Sequence, residues 1–242
     1  MARLFILNQR IPFRINRTID LLVSEPNMYN PKHFEQNDLA VVGELIRHFP
    51  LGTLITRDGD ALEANHIPFM LEGDLTPGTK LIGHVAKGNP VWQTANPEAE
   101  SLVVFQGPSA YITPNWYPSK LEHHKVVPTY NYAVAHVYGW LTVSHDPEIK
   151  RQVVADLTAT MELARNSNWR VSDAPADYLA MMLEAIVAIE VTIIRVQAKW
   201  KVSQNRSDAD RLGVANGLAG TASQTDGDLQ MGRIVRANGG LG

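Results

Sequence analysis

Apolar and polar positions along the chain follow two periods, and the switches between them mark out its elements. Leu39, Val42, Leu45, Ile46 and Phe49 recur on one helix face, follow the capping residues Asn37 and Asp38, and stop before Pro50. An amphipathic helix is predicted there. Residues 51–56 and 61–71 read as strands joined by Arg57-Asp58-Gly59-Asp60, where the Asp-Gly step signals a hairpin. Further strands are predicted at 80–86, 101–106, 110–113 and 130–143. A second helix opens at Asp146-Pro147, with Ile149, Val153, Leu157 and Met161 at four-residue spacing. A third starts near Ser172-Asp173-Ala174-Pro175 and runs through Ile186; then Ile189, Val191 and Ile193 alternate with Glu190 and Thr192. That switch predicts a helix passing into a long strand. Short strands, Gly and Pro turns and a few flanking helices together predict a mainly β, α+β chain closed into a barrel.

The ends of the chain break this pattern. Residues 1–27 carry Arg3, Arg10, Arg14 and Arg17 against Asp20 and Glu25, with Pro12 interrupting any helix. They read as an appendage, with Met28 the expected initiator and an organelle presequence the weaker alternative. Beyond Ser203 lie 8 of the 17 glycines and few large apolar residues, so 218–242 is expected to be a mobile tail. Residues 28–217 are expected to form one domain.

A 45% hydrophobic content gives enough apolar material for a full core. The absence of cysteine excludes disulfides, a thiolate nucleophile and iron–sulfur or cysteine–zinc sites. Net charge of -3 gives no overall electrostatic footprint for nucleic acid, so DNA remains a candidate partner without support from charge. No apolar run nears the roughly 20 residues that span a bilayer, and the expectation is a soluble cytoplasmic protein with no membrane partner. Walker loops, G-x-G-x-x-G, G-x-S-x-G and H-E-x-x-H are missing, so no catalytic residue is assigned. His123 and His124 are adjacent and point apart if extended, and no metal site is expected.

Five segments carry more amide, imidazole, hydroxyl and cationic groups at strand ends than a plain core needs. They are Ala64-Asn65-His66-Ile67-Pro68-Phe69, His84-Val85-Ala86-Lys87-Gly88-Asn89-Pro90, Gln106 with Gly107 onward to Tyr117, Val127-Pro128-Thr129-Tyr130-Asn131-Tyr132, and Lys199-Trp200-Lys201-Val202-Ser203-Gln204-Asn205-Arg206. Polar tips on packed strand bodies suit a planar, polar-edged ligand. At these segments, and from Met28-Tyr29-Asn30-Pro31-Lys32-His33-Phe34 to Asp210-Arg211-Leu212-Gly213-Val214, the chain resembles the PaiB-like FMN-binding negative transcriptional regulators.

That resemblance implies an FMN-binding split β-barrel of the pyridoxamine-phosphate-oxidase and flavin-reductase kind, working as a homodimer with FMN between subunits. It implies a phosphate side at Asn65, His66, His84, Lys87 and Asn89, with Lys87 the main cation. Lys201 and Gln204 would reach the flavin edge, and Trp116 or Tyr132 would cover a ring face. Plain alternatives stand beside each: a solvated turn lysine for Lys87, core or dimer-contact aromatics for Trp116 and Tyr132, structural donors for His66 and His84. For function it implies a negative transcriptional regulator. A flavin-dependent oxidoreductase is the alternative, since flavin supplies hydride chemistry in related barrels. A haem-handling protein is a third reading, carried by fold relatives and by His66, His84 and His136.

Overall fold

The structure, a computed structural model, describes residues 28–220 and 225–238. The segment before Met28 therefore lies outside the described residues, and with it the expectation for the start of the chain. Helix α1 (Leu39–His48) begins at Asp38, whose carboxylate accepts from the Ala40 amide at 3.0 Å. Strands β1 (Leu51–Asp58) and β2 (Ala61–Pro68) form the expected hairpin, with Gly59 at φ 57° in its two-residue turn. Then follow β3 (Met70–Leu71), β4 (Lys80–Ala86), the single turn α2 (Val91–Thr94) and β5 (Ser101–Ile112). After these come α3 (Lys120–His123), β6 (Thr129–Ser144), α4 (Pro147–Leu163), α5 (Ala176–Glu184), β7 (Ile186–Lys201), α6 (Asp208–Gly220) and α7 (Asp226–Asn238).

All seven strands belong to one sheet in the order β2-β1-β5-β6-β7-β4-β3, and every neighbouring pair is antiparallel. Strands β2 and β3 hold opposite edges of that sheet, yet only Phe69 separates them in the chain. The sheet must therefore curl until its edges meet. Closure is made by the chain and not by a hydrogen-bond ladder, which is what splits the barrel. At the split β2 and β4 lie side by side: a Cβ on Gly83 would stand 3.0 Å from the Pro68 carbonyl oxygen, so glycine there permits the close approach.

Inward-facing Leu54, Val103, Phe105, Val137 and Val191 are fully buried and fill the barrel. Outside, Val153 and Leu157 of α4 pack with Ala188 of β7, Met70 and Ile82, as the four-residue stripe predicts. No helix among the described residues is long and apolar enough to cross a membrane.

Two expectations are corrected. Residues 101–106 and 110–113 are one strand, with a register shift between Gln106 and Ser109. Pro108 lies in that shift and, having no amide hydrogen, cannot donate to a ladder. The expected tail is, over its described part, ordered structure: α7 buries Met231 and Val235, and Leu218 of α6 is fully buried. Two glycines just ahead of the expected tail are contact points. A Cβ on Gly213 would lie 2.0 Å from the Trp116 carbonyl oxygen, and one on Gly217 would lie 2.3 Å from the Trp116 ring. Helix α6 can press this closely on Trp116 because those positions lack side chains.

Candidate functional site

Strand register decides which expected residues meet. Strand β4 runs antiparallel to the first half of β7, from Lys80 opposite Thr192 to Ala86 opposite Ile186. The next residue, Lys87, donates its amide to the Ala185 carbonyl at 2.7 Å, just before β7 begins. Lys201 is the last residue of β7, 16 residues long. At about 3.3 Å per residue the two lysines stand about 50 Å apart along the strand. The two lysines mark opposite ends of β7, so the nine expected residues fall into two groups.

The first group surrounds the split. His66 faces outward opposite Thr53, with a ring nitrogen 3.1 Å from the threonine hydroxyl. His84 lies opposite Ala188, half-buried; its Nδ1 is buried without a hydrogen-bond partner, and burial holds its pKa below the usual imidazole value. Lys87 is exposed on the turn, and its ammonium makes no ion pair or hydrogen bond among the described residues. Asn65 and Asn89 do different work. The Asn89 amide donates to Asn65 Oδ1 at 2.7 Å, and Asn65 donates to Glu63 Oε1 at 2.9 Å. Thr94 donates to the other Glu63 oxygen, and Asn89 Oδ1 receives the Val91 amide at the start of α2. This latch ties β2 to the β4–α2 turn and engages one of the two amide hydrogens of each asparagine. Glu63 and Thr94 were not singled out in the sequence, since nothing local marks two polar residues so far apart as partners.

The second group lies where β6 and β7 end. Directly opposed residues share a sheet face, so Tyr132 and Lys201 stand together, as do Val134 and Lys199. Lys201 donates to Thr129 Oγ1 and to the Tyr130 carbonyl, which leaves one of its three ammonium hydrogens free. Burial first, and then the charges of Lys199 and Arg206, lower its pKa. Gln204 bonds within its own loop, accepting from the Val202 amide at 2.7 Å and donating one of its two amide hydrogens to the Trp200 carbonyl. Trp116 is held beneath α6, so of the two expected ring-covering aromatics only Tyr132 faces this site. Lys199 shares this face with Lys201, as the alternation Lys199-Trp200-Lys201 signals in the sequence.

The sequence profile of the family described as "Putative FMN-binding domain" matches residues 28–195. The Bacillus subtilis protein named "Protease synthase and sporulation protein PAI 2" is 30% identical over 193 residues, covering 79% of this chain and 89% of its own. The chain belongs to the PaiB-like FMN-binding family. FMN is the cofactor that goes with this membership. An uncharacterized Emericella nidulans protein is 34% identical over 248 residues, covering 88% of this chain and 98% of its own, so the likeness extends beyond the residues matched by the family profile. Among solved structures, the FAD and haem binding protein of Mycobacterium smegmatis superposes with a TM-score of 0.50 at 19% identity, over 69% of this chain and 73% of its own. The flavocytochrome Anf3 of Azotobacter vinelandii gives 0.50 at 11%, over 69% of each chain. These two likenesses concern the fold, a split barrel with flanking helices.

FMN needs cations and N–H donors for its phosphate, donors at the ring edge and a flat apolar contact. The unengaged Lys87 ammonium and the orphaned His84 Nδ1 suit the first need. The free hydrogen of Lys201 and the half-buried Tyr132 ring suit the others, from the far end of β7.

Proposed function

We propose that the protein is a homodimeric FMN-binding negative transcriptional regulator whose flavin sites are each shared by two chains. The separation of Lys87 and Lys201 along β7 carries the dimer. If both touch one FMN, the second must come from another copy, with the phosphate at His66, His84 and Lys87 of one protomer and the ring edge at Lys201 of its partner. The outward sheet face supports the pairing. A row across five strands, His66, Thr53, Val104, His136 and Gln197, lies beside a second row of Ala64, Ile55, Leu102, Tyr138 and Arg195. Ile55, Leu102 and Val104 in these rows are only half-buried and offer apolar area to a second copy. When bound, FMN would supply redox chemistry; the residues here hold and orient it.

The regulatory part rests on family membership and on the relative's name, which speaks of protease synthesis and sporulation. An acidic chain whose longer described helices mix acidic with basic residues supports regulation through a partner or through the flavin state, and not through a DNA surface of its own. Mixing of variants tests the shared site. Lys87→Ala and Lys201→Met should each bind FMN weakly, and subunit exchange between them should restore tight binding in a fraction of sites. No restoration, or tight binding by a monomer, would overturn the shared site. For the role, a gene deletion and a Lys87→Ala strain should raise the same transcripts; unchanged transcripts in both would end the regulator reading.

A further inference from the structure

Outside the barrel, helices α4 and α5 and the loop between them leave a groove of about 740 Å³. Helix α4 lines it with Arg151, Ala155, Thr158 and Glu162. Spacings of four, three and four residues put these side chains on one helix face over three turns. Trp169 and Arg170 of the loop also line the groove.

Apolar surface is left uncovered around it. Leu163 and Trp169, both lining the groove, are 78% and 47% exposed. Helix α5 exposes Tyr178, Met181 and Met182, spaced i, i+3 and i+4, while Leu183 is buried. A helix that is apolar on both faces is ordinarily covered on both, and exposed apolar patches mark interaction surfaces.

The charges indicate what covers it. Arg151 and Glu162 form no ion pair among the described residues. Their charged neighbours are engaged elsewhere: Lys150 pairs with Glu184 at 3.7 Å, and Asp156 accepts from the Gln152 amide at 2.8 and 2.9 Å. With Asp156 and Arg170 included, the lining holds two cations and two anions, which selects neither an anionic nor a cationic ligand. What it does select is an order along α4. A cation stands at one end and an anion about 16 Å further on, at 1.5 Å per residue, with short side chains between them. Reversed, that order is its own complement. An antiparallel second α4, centred between Asp156 and Leu157, sets Arg151 against Glu162 of the second copy at both ends and Ala155 against Thr158 in the middle. The short middle residues let the helix axes approach to about 8 Å, the near end of the usual range. A two-fold contact requires one surface to match itself in this way.

We propose that the α4–α5 groove is a two-fold interface with a second copy of this chain, in which antiparallel α4 helices exchange Arg151–Glu162 pairs and bury Leu163 and Trp169. None of these residues belongs to the outward sheet rows or to either flavin group, so the interface does not rest on the shared flavin site. Where both interfaces form, two flavin-sharing dimers join as a tetramer.

Sedimentation of the FMN-loaded full chain over a concentration series tests this. Wild type should form a particle of twice the mass of Arg151→Glu and of Glu162→Arg, because each reversal sets like charges against one another at both ends of the helix pair. The double variant Arg151→Glu/Glu162→Arg restores opposite signs and should recover the wild-type mass, a recovery that damage to the fold would not give. Trp169→Ser should also halve the mass, since tryptophan is a frequent anchor of interfaces, and the exposure of this residue lets the variant fold. FMN affinity, read by flavin fluorescence, should be the same in all four variants. Equal masses for wild type and the single reversals overturn the proposal, and so does a double variant that stays at half mass. A loss of FMN affinity that accompanies the loss of mass overturns it too, by making this the interface that builds the flavin site. Failure of the shared flavin site alone would read differently: a wild-type dimer, with the single reversals monomeric.

Discussion

The two ends of β7 are built on opposite electrostatic plans. Where the strand begins, a lone cation, Lys87, sits on an exposed turn beside a neutral latch of Asn65, Asn89 and Thr94 closed on Glu63. Where it ends, Lys199, Lys201 and Arg206 share a half-buried aromatic surface without an ion-paired carboxylate among the described residues. A net charge of -3 conceals this. Overall charge argues about solubility and long-range steering, whereas binding is decided by how few groups face one another at a strand end. One end has geometry for a single strong contact with a phosphate, and the other has several cations that an incoming anion would satisfy together.

The largest effect that would break this comparison is expected at Lys87. Lys87→Ala should weaken FMN by roughly tenfold to a hundredfold, since a charge-assisted contact contributes about 1.5 to 3 kcal/mol and a decade is about 1.4 kcal/mol. Riboflavin, without the phosphate, should bind weakly to wild type and hardly notice the change. Equal losses for both would make Lys87 structural; no loss for either would move the phosphate to the Lys201 end.

Next comes the support of the far end. Gly217→Leu places a side chain where a Cβ alone would already stand 2.3 Å from the Trp116 ring. Overpacking of this kind costs about 1 to 3 kcal/mol, visible as a lower melting temperature. FMN affinity at the Lys87 end should change less than stability, and the reverse order would mean that α6 supports the flavin site directly.

A smaller loss is expected from the latch. Asn89→Ala removes the 2.7 Å bond to Asn65 and should cost about 0.5 to 1.5 kcal/mol in denaturant unfolding. If FMN affinity falls and stability does not, the asparagine contacts phosphate after all.

The smallest effect is pH dependence. Burial lowers the pKa of both His84 and His136, so each stays neutral in the folded chain over a range where the unfolded chain takes up a proton. Their contribution to stability is present above the ordinary value of 6.5 and is lost as pH falls from there through the depressed folded values. Unfolding midpoints from pH 7.5 downward should drop more steeply for wild type than for His84→Asn/His136→Asn. Matching profiles would show that folding does not lower the pKa of either histidine.

The sequence made local structure legible wherever the cause was local. Asp38 and Asp146 cap their helices as the first-turn pattern predicts, and Asp58-Gly59 turns the hairpin. The site residues were legible as chemistry and not as partners. Lys87 and Lys201 look alike in sequence, and only the antiparallel register of β4 on β7 reveals that they hold opposite ends of one strand. The bond between Asn65 and Asn89 was not legible, because an asparagine pair 24 residues apart leaves no mark of being a latch. The glycine-rich stretch after Ser203 hid helix α6 and made 218–242 read as a tail for a physical reason. Gly213 and Gly217 lower intrinsic helix propensity, which suggests disorder, but the same missing side chains allow the close contact with Trp116 that holds the helix in place.

The single-residue link at Phe69 also bears on how the chain reaches this state. Because β3 continues directly from β2 while β4 must wait for β7, the ring of strands cannot be completed until nearly the whole sheet-forming sequence has left the ribosome. Pairs such as Leu81 with Val191 join positions roughly a hundred residues apart. Late, long-range closure makes for slow folding, and meanwhile β4 and the partly built sheet keep open edges that can pair with another copy. During synthesis this chain is therefore most exposed to aggregation in the interval between emergence of β4 and arrival of β7, and a chaperone that bound it would be expected to engage β4.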